Sequence, residues 1–191
     1  MPGTRPVSPR RTGFWGRLFG RTEPVAPDLD QLFALPSAAI TLQVSAGMTP
    51  TGVGSVCFRA AEGGAFGSLQ RDVQALLDAD QGPPVEISQD SYGYTWLVTR
   101  HDPGDVAGLV TDLHAVNTSL TDAGFGPQLL CSLVAFTGAD GAPFALVYLY
   151  KRGTFYPFAP RSGHGRDNTL ELQVRGLLAS DLPIEQDVSR W

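Results

Sequence analysis

One stretch of the sequence, Phe144–Pro160, constrains the fold more than any other: Phe-Ala-Leu-Val-Tyr-Leu-Tyr-Lys-Arg-Gly-Thr-Phe-Tyr-Pro-Phe-Ala-Pro. Its first part, Phe144–Tyr150, is entirely apolar or aromatic, which predicts a strand buried on both faces. Lys151–Gly153 follows as a turn, because glycine accepts the positive φ that tight turns need. Thr154–Tyr156 can then pair back before the following prolines end the ladder. The stretch therefore predicts a β-hairpin with a dibasic tip and an aromatic, proline-rich exit.

The length and composition indicate one domain with tails. The chain has 191 residues, and its 22 glycines and 15 prolines indicate many tight connections between short elements. No apolar run approaches the roughly 20 residues of a membrane span, and the N-terminus lacks the apolar segment of a secretory signal. Cys57 and Cys131 lie far apart in apolar, strand-like sequence and are expected to be buried free thiols. These features predict a cytoplasmic protein.

Charge is distributed unevenly along the chain. Residues 1–21 contain five arginines and no acidic residue. The chain has 14 basic and 19 acidic groups in all, so the remainder carries 9 basic and 19 acidic groups, a net charge of −10. A body this acidic argues against nucleic acid as a partner.

The N-terminal tail, residues 1–27, is expected to be largely disordered because it offers little to bury. Within it, residues 13–21 form a short apolar and basic segment whose side chains share one helical face: Phe14, Trp15, Arg17, Leu18, Phe19 and Arg21. Aromatic and basic residues in this arrangement are typical of segments that contact an anionic membrane surface or a protein partner. The alternative is that the segment docks on the protein's own body.

The rest of the sequence alternates between strand and helix patterns. Four helices are expected, over Asp28–Leu35, Leu69–Ala79, Val106–Asp122 and 168–179. Pro36 is expected to end the first helix, and Ser68 to cap the second. Strands are expected at Ala39–Val44, Val53–Arg59, Val85–Ser88, Tyr94–Arg100, Leu129–Phe136 and Phe144–Tyr150. Hairpins that alternate with helices predict an α+β fold, with an antiparallel or mixed sheet and helices mainly on one face, as a two-layer sandwich. The domain would span 28–180, followed by an extended tail, 181–191, whose terminal Trp191 docks on the body.

No arrangement of residues predicts catalysis or metal binding. The three histidines, His101, His114 and His164, fall on a strand end, a helix and a polar loop. Asp112 and His114 are two positions apart on a helix and do not share a face, as zinc ligands would. Ser162, His164 and Asp167 lack the rigid turn that a catalytic nucleophile needs and are expected to lie in a polar loop over 161–166. We therefore expect no catalytic residue, no metal and no cofactor.

What remains is a binding surface at the hairpin tip. Two cations stand beside a set of aromatic residues on an otherwise acidic body, and the group comprises Tyr150, Lys151, Arg152, Phe155, Tyr156 and Phe158. In one interpretation the aromatics belong to the core and the cations keep the tip soluble. In the other, Arg152 meets a carboxylate-rich partner helix while the aromatics serve as apolar anchors.

Four stretches resemble a known family: Asp28–Thr41, Asp90–Val98, Phe125–Leu133 and Tyr148–Pro160. They are similar to the PspA-associated protein PspAB family, as is the apolar and basic segment at 13–21, so that the resemblance runs over residues 13–191. The resemblance implies association with the phage-shock protein A (PspA) envelope-stress system, whose coiled-coil protein works on the inner leaflet of the membrane. It brings no catalytic residues. The order of elements is also loosely similar to secretion-chaperone and YbjN-like folds.

The sequence thus favours a non-enzymatic adaptor that binds the PspA coiled coil and is cytoplasmic, with peripheral contact to the membrane. The alternative is a small-molecule-binding or enzymatic domain with a pocket between sheet and helices. A homodimer through the hairpin edges or an exposed sheet face is a third arrangement that the sequence leaves open.

Overall fold

The fold is built on an antiparallel sheet, seen here in a computed structural model that describes residues 27–59, 64–78 and 84–191. The sheet contains β1 (Thr49–Arg59), β2 (Glu86–Gln89), β3 (Tyr94–Arg100), β4 (Leu129–Thr137), β5 (Pro143–Leu149) and β6 (Thr154–Phe158). Their spatial order is β2-β3-β1-β4-β5-β6, and every neighbouring pair is antiparallel. The longest strand, β1, therefore lies near the centre.

Within the ranges just given, four α-helices accompany the sheet: α1 (Leu35–Ala46), α2 (Gly64–Leu77), α3 (Val106–Leu120) and α4 (Asn168–Leu177). A 3-10 turn, Leu29–Ala34, leads directly into α1. The side chain of Asp105 caps α3 by accepting from the Gly108 amide, and Asp167 caps α4 through the Leu170 amide. The predicted helices at 106–122 and 168–179 are thus confirmed to within about one turn.

The first predicted strand, Ala39–Val44, is wrong, because these residues lie in α1. Leu35, Ala38, Ala39 and Leu42 are buried at the spacing of one helical face. Pro36 sits in the first turn of the helix, where a missing amide hydrogen costs nothing, so it begins this helix instead of ending the preceding one. Gly47, at φ 65°, ends the helix in a left-handed conformation.

The second predicted helix also begins earlier than expected. Ser68 was expected to cap it, but α2 already starts at Gly64. Phe66 explains the extra turn, since its buried ring packs edge-on against two other rings. The ring centroids lie 5.6 Å apart for Phe66 and Phe58, and 5.0 Å apart for Phe66 and Phe125. The aromatic contact thus holds the first turn of α2 against the sheet.

The predicted hairpins from residue 85 onward are confirmed. β2 pairs with β3, β4 with β5, and β5 with β6, where Tyr148 lies opposite Phe155. The ladder between β5 and β6 continues past Pro157, which lies opposite Leu146. This differs from the expectation that the prolines end the pairing, and it is allowed because β6 is the last strand of the sheet and an edge strand tolerates proline.

The polar loop expected at 161–166 contains a small ladder of its own, β7 (Pro160–Arg161) with β8 (Gly165–Arg166). After α4 the chain returns to the sheet, where Ile184 forms a parallel bridge with Phe155. Trp191 is partly buried and its ring stacks on Tyr156 at 6.2 Å. The expected docking of Trp191 is therefore observed.

The core lies between one face of the sheet and the helices. Gly54 of β1 meets Leu109 and Leu113 of α3 so closely that an added Cβ would lie 2.9 Å from a leucine methyl carbon. On the same side, α2 packs through Phe66, while α1 packs on α3, and α4 contacts α1 and β6. The described residues thus form the α+β fold that the sequence predicts, with helices on one face of the sheet.

Among the helices of the described ranges, none combines the length and hydropathy that a membrane span requires.

Candidate functional site

The tip of the β5–β6 hairpin does not expose its aromatic residues as one patch. Tyr150 is buried, and its hydroxyl lies 2.9 Å from the hydroxyl of Thr121 at the end of α3. Phe155 is fully buried and packs on Tyr148 with ring centroids 5.0 Å apart. The expectation that these two rings serve as anchors for a partner fails for the folded chain, because strand alternation turns both toward the helices.

The cations of the tip also differ from each other. Lys151 is exposed, whereas Arg152 donates through Nε to Oε2 of Glu185 at 2.9 Å. The Glu185 side chain is 4% exposed and also accepts from the hydroxyl of Thr154 and the amide of Asp187. Burial alone would raise the pKa of Glu185, but these donors outweigh it and hold that pKa below its ordinary value. Arg152 therefore holds the C-terminal segment on the hairpin.

The other two predicted residues, Tyr156 and Phe158, lie on the opposite face of β6 and are partly exposed. The guanidinium of Arg166 lies over both rings, at 5.7 Å and 5.0 Å from their centroids. Burial raises the pKa of Tyr156 to about 12, so its hydroxyl stays protonated at neutral pH. These two rings mark one end of a larger surface.

That surface is the outer sheet face, defined as the strand side chains that point away from the four helices. Because Gly54 faces α3, alternation places Val53, Ser55 and Cys57 on this outer side. The register then sets two parallel rows across the sheet. One row is Glu86, Val98, Ser55, Leu133, Val147 and Tyr156, and the other is Ser88, Trp96, Cys57, Cys131, Leu149 and Thr154. Most members of both rows are apolar.

The outer sheet face is buried at its centre and partly exposed around it. Ser55, Cys57 and Val147 are 3–5% exposed, while their neighbours Trp96 and Leu133 are partly exposed. Trp96 is fixed in place because its indole donates to Oδ2 of Asp90 at 3.0 Å. That bond, with backbone amides of the turn, holds the pKa of Asp90 below its ordinary value.

Arginines stand at the margins of this face. Arg59 lies over the Tyr94 ring at 5.7 Å, and Arg166 lies over Phe158. Arg100 bonds to Glu86 at 3.2 Å, and both side chains are largely exposed. Arg166 is likewise paired, with Glu171 at 2.8 Å, and Asp90 borders the face beside Trp96, so cations and anions alternate along its edge.

Ionisable residues on the helical side form a structural cluster. The ring of His101 lies 2.7 Å from Asp112 and 3.2 Å from Asp105, and Thr99 donates to the same Asp112 carboxylate. Burial would lower the pKa of His101, but the two carboxylates outweigh it and raise that pKa above its ordinary value. The cluster joins the end of β3 to α3.

Within the part of the chain that the structure describes, His, Cys, Asp and Glu form no group of three or more that could hold a metal ion. A surface groove of about 420 Å³ lies between α1 and the start of α3, with Ile40, Pro50 and Pro103 among its lining residues and no ionisable side chain in its wall.

The expected contact segment at 13–21, with Phe14, Trp15, Arg17, Leu18, Phe19 and Arg21, lies outside the described residues.

Sequence reasoning missed the outer sheet face, because its residues come from six separate strands and only the register brings them together. The alternation of Tyr94, Trp96 and Val98 was a usable signal, since large apolar residues at every second position of a strand define a face. Glu185 was missed as well, since nothing in the sequence 181–191 marks one acid as buried.

These observations define the class of protein: an α+β domain with a largely apolar outer sheet face that is partly exposed around a buried centre. A family model for PspA associated protein B, PspAB, matches residues 12–191. Because the match covers nearly the whole chain, the chain belongs to the PspAB family. No match is found among curated proteins or among solved structures.

Proposed function

We propose that this chain is a non-enzymatic adaptor of an envelope-stress response that binds the PspA coiled coil through the outer sheet face. The family name supports association with PspA. The observation that carries the proposal is the outer sheet face itself, where Trp96, Leu133 and Tyr156 are partly exposed on three strands, each separated from the next by one strand. These side chains are partly exposed, and apolar side chains grouped on one face of a sheet can serve as contacts for a partner.

The chemistry of the face fits an amphipathic helix. An apolar stripe of a partner helix would lie along the row that runs from Val98 past Ser55 to Leu133 and Val147, in which Val98 and Leu133 are partly exposed. A carboxylate beside that stripe would meet Arg59 at one margin, whereas Arg166 at the other margin is already paired with Glu171 of α4 at 2.8 Å. A coiled-coil protein offers helices with apolar seams bordered by charged residues, which is the complement required.

The hairpin tip has a smaller part in this proposal than the sequence implies. Lys151 is exposed and Tyr156 and Phe158 belong to the outer sheet face, so these three residues remain candidates for partner contact. Tyr150 and Phe155 are buried, and Arg152 is engaged by Glu185. The proposed interface is therefore the sheet face, with the tip at its border.

The test is a binding titration between the intact protein and purified PspA. Leu133→Asp places a carboxylate in the apolar row and is expected to weaken binding by at least about tenfold, the cost of desolvating a charge at an apolar contact. Val44→Asp is the matched control, because Val44 is 80% exposed on α1, away from the sheet, and its replacement should leave binding unchanged. Thermal unfolding of both variants shows whether they are folded, and the milder Leu133→Ser replaces Leu133→Asp if it is not.

Three results would overturn the proposal or redirect it. Absence of a complex with the intact protein would reduce the relation to PspA to a genetic one. Loss of binding in Lys151→Glu, with Leu133→Asp unaffected, would move the interface to the hairpin tip. Self-association of the free protein that PspA does not displace would assign the sheet face to a homodimer, which sedimentation equilibrium distinguishes.

Contact with the membrane is a separate part of the proposal and rests on residues 13–21. We expect this basic and aromatic segment to bring the adaptor to the inner face of the cell membrane as a peripheral, cytoplasmic protein. Co-sedimentation with vesicles of phosphatidylcholine and phosphatidylglycerol, with and without residues 1–21, tests it. Equal sedimentation of the two forms would remove this part and leave the PspA interface untouched. The acidic remainder of the chain makes nucleic acid an unfavourable partner.

The alternative, a ligand-binding or enzymatic domain, has one candidate location in the groove beside Ile40 and Pro103. The wall of that groove carries no ionisable side chain, whereas a second groove beside Trp191 is lined by Arg166 and Glu171, which are paired with each other at 2.8 Å. A small molecule that raises the melting temperature saturably, and no longer does so in Ile40→Arg, would favour the alternative.

A further inference from the structure

Two cysteines that are distant in sequence meet on the outer sheet face. Cys57 of β1 and Cys131 of β4 are direct partners in the antiparallel register, and both are free. Because directly opposed residues point to the same side of a sheet, both thiols lie on the side away from the helices. Opposed side chains of an antiparallel pair have Cβ atoms about 4.5–5.5 Å apart, so the two thiols are direct neighbours.

We propose that Cys57 and Cys131 form a dithiol redox site, in which a hydroperoxide converts the two thiols to a cross-strand disulfide. Opposed residues of an antiparallel pair have Cα atoms about 4.5–5.5 Å apart, which lies inside the range of about 4.4–6.8 Å that disulfides span. The two strands therefore need no rearrangement of the sheet to be linked. The site does not depend on the proposed partner.

The two cysteines differ in accessibility and in acidity. Cys57 is 3% exposed, whereas Cys131 is partly exposed. The neighbouring Cys57 thiol lowers the pKa of Cys131 and outweighs the effect of burial. The neighbouring Cys131, together with burial, raises the pKa of Cys57. Cys131 is therefore the attacking thiolate and Cys57 the resolving thiol.

The chemistry balances in two steps. The Cys131 thiolate attacks the terminal oxygen of the hydroperoxide, the O–O bond breaks, and an alcohol or water leaves, so that Cys131 becomes a sulfenic acid. Cys57 then attacks the Cys131 sulfur, the S–S bond forms, the S–O bond breaks, and water leaves. The dithiol loses two electrons and two protons in all, and the hydroperoxide accepts both electrons. Loss of the negative charge on Cys131 removes one cause of the raised pKa of Cys57, so the first step favours the second.

Trp96 and Leu149 flank the pair in the same row across the sheet. Their side chains are partly exposed and border the thiols on either side, which restricts access to small oxidants. A hydroperoxide fits this opening better than a bulky protein disulfide.

The full-length reduced protein is the material for the test. After treatment with hydrogen peroxide, peptide mapping without reductant is expected to show a linked pair of peptides that contain Cys57 and Cys131 from one chain. In glutathione buffers, the folded protein should be half oxidised at a disulfide-to-thiol ratio at least about tenfold lower than in urea, because folding raises the effective concentration of one thiol at the other. Equal midpoints in the two conditions, or links only between separate chains, would overturn the proposal.

Single variants test the assignment of roles. In Cys57→Ser the sulfenic acid on Cys131 has no resolving thiol, so a dimedone label should accumulate there after peroxide. In Cys131→Ser, labelling of Cys57 should be several-fold lower, since Cys57 is buried and has lost its partner. Equal labelling of the two variants would contradict the assignment, and circular dichroism confirms that each variant is folded.

Discussion

Arg152 Nε lies 2.9 Å from Oε2 of Glu185, and this bond joins the turn between β5 and β6 to a segment 33 residues later in the chain. The carboxylate is buried and the guanidinium is partly exposed. The bond closes a small network in which the backbone also takes part, since the Glu185 amide donates to the carbonyl of Phe155 at 2.7 Å. The C-terminal segment is thus bound to the last strand of the sheet through both side chains and main chain.

Removal of the Glu185 carboxylate should destabilise the fold. Glu185→Ala leaves Arg152 and Thr154 without their acceptor, and we expect the free energy of unfolding to fall by about 2 kcal/mol. Urea denaturation at neutral pH measures the change. Glu86→Ala is the control, because Glu86 is exposed and its bond to Arg100 lies in solvent. An equal loss in both variants would contradict the structural role assigned to Glu185.

The contribution of the Glu185 carboxylate to stability should depend on pH. The pKa of Glu185 is lowered in the folded chain, so its contribution is present above the ordinary pKa of glutamate, about 4.3, and is lost as pH falls through the folded value. The difference in unfolding free energy between the protein and Glu185→Gln should therefore shrink as pH falls below about 4. A difference that stays constant over this range would contradict the lowered pKa.

The close approach of Gly52 to His101 makes this glycine irreplaceable. Gly52 has φ +75°, and a Cβ added there would lie only 2.1 Å from the His101 carbonyl oxygen. Gly93 has φ +81° with no atom within 4 Å of such a Cβ. Gly93→Ala should lower the free energy of unfolding by about 1–2 kcal/mol, because alanine is strained in the left-handed conformation. Gly52→Ala should lower it further, because the new Cβ also collides with the His101 carbonyl oxygen. Similar melting temperatures for the two variants would show that β1 and the segment after β3 separate at little cost.

The sequence predicted most of the fold because its signals were local. The hairpins after residue 85 and the helix α3 follow from alternation, from glycine-containing turns and from an apolar stripe, all within short windows. The strand predicted at Ala39–Val44 is wrong because a short apolar run is equally compatible with a strand and with the buried face of a helix. Packing against α3 makes it the buried face of α1. The site was less predictable, since the pairing of Cys57 with Cys131 and of Arg152 with Glu185 depends on tertiary contacts that no local pattern records.

Protonation of His101 should stabilise the fold. Its pKa is raised in the folded chain because Asp112 and Asp105 accept from the ring and outweigh the effect of burial. This contribution is complete below the ordinary pKa of histidine, about 6.5, and is lost as pH rises through the folded value. NMR titration of the His101 ring should give a pKa above 6.5 that falls in Asp112→Asn. An unchanged pKa in that variant would contradict the role of Asp112.

Asn117 offers the most severe test of the core. Its side chain is fully buried in α3, and its amide donates to the Leu113 carbonyl at 2.7 Å and to the Ser132 hydroxyl at 2.8 Å. Asn117→Asp replaces this donor with a carboxylate oxygen that repels the Leu113 carbonyl. We expect a loss of about 3 kcal/mol or more at neutral pH, the cost of an unpaired buried charge.

The loss in Asn117→Asp should diminish in acid, because a protonated carboxyl can donate to the Leu113 carbonyl again. Burial without a cationic partner favours this neutral form, so the variant should gain stability relative to the parent as pH falls from about 7 to about 5. Asn117→Leu is the matched control, since it removes the amide without adding a charge and should show no such recovery. If Asn117→Asp does not fold at neutral pH, recovery of its circular dichroism signal at about pH 5 is the measurement. A variant that is equally unstable at both pH values would show that the loss comes from packing and not from the buried charge.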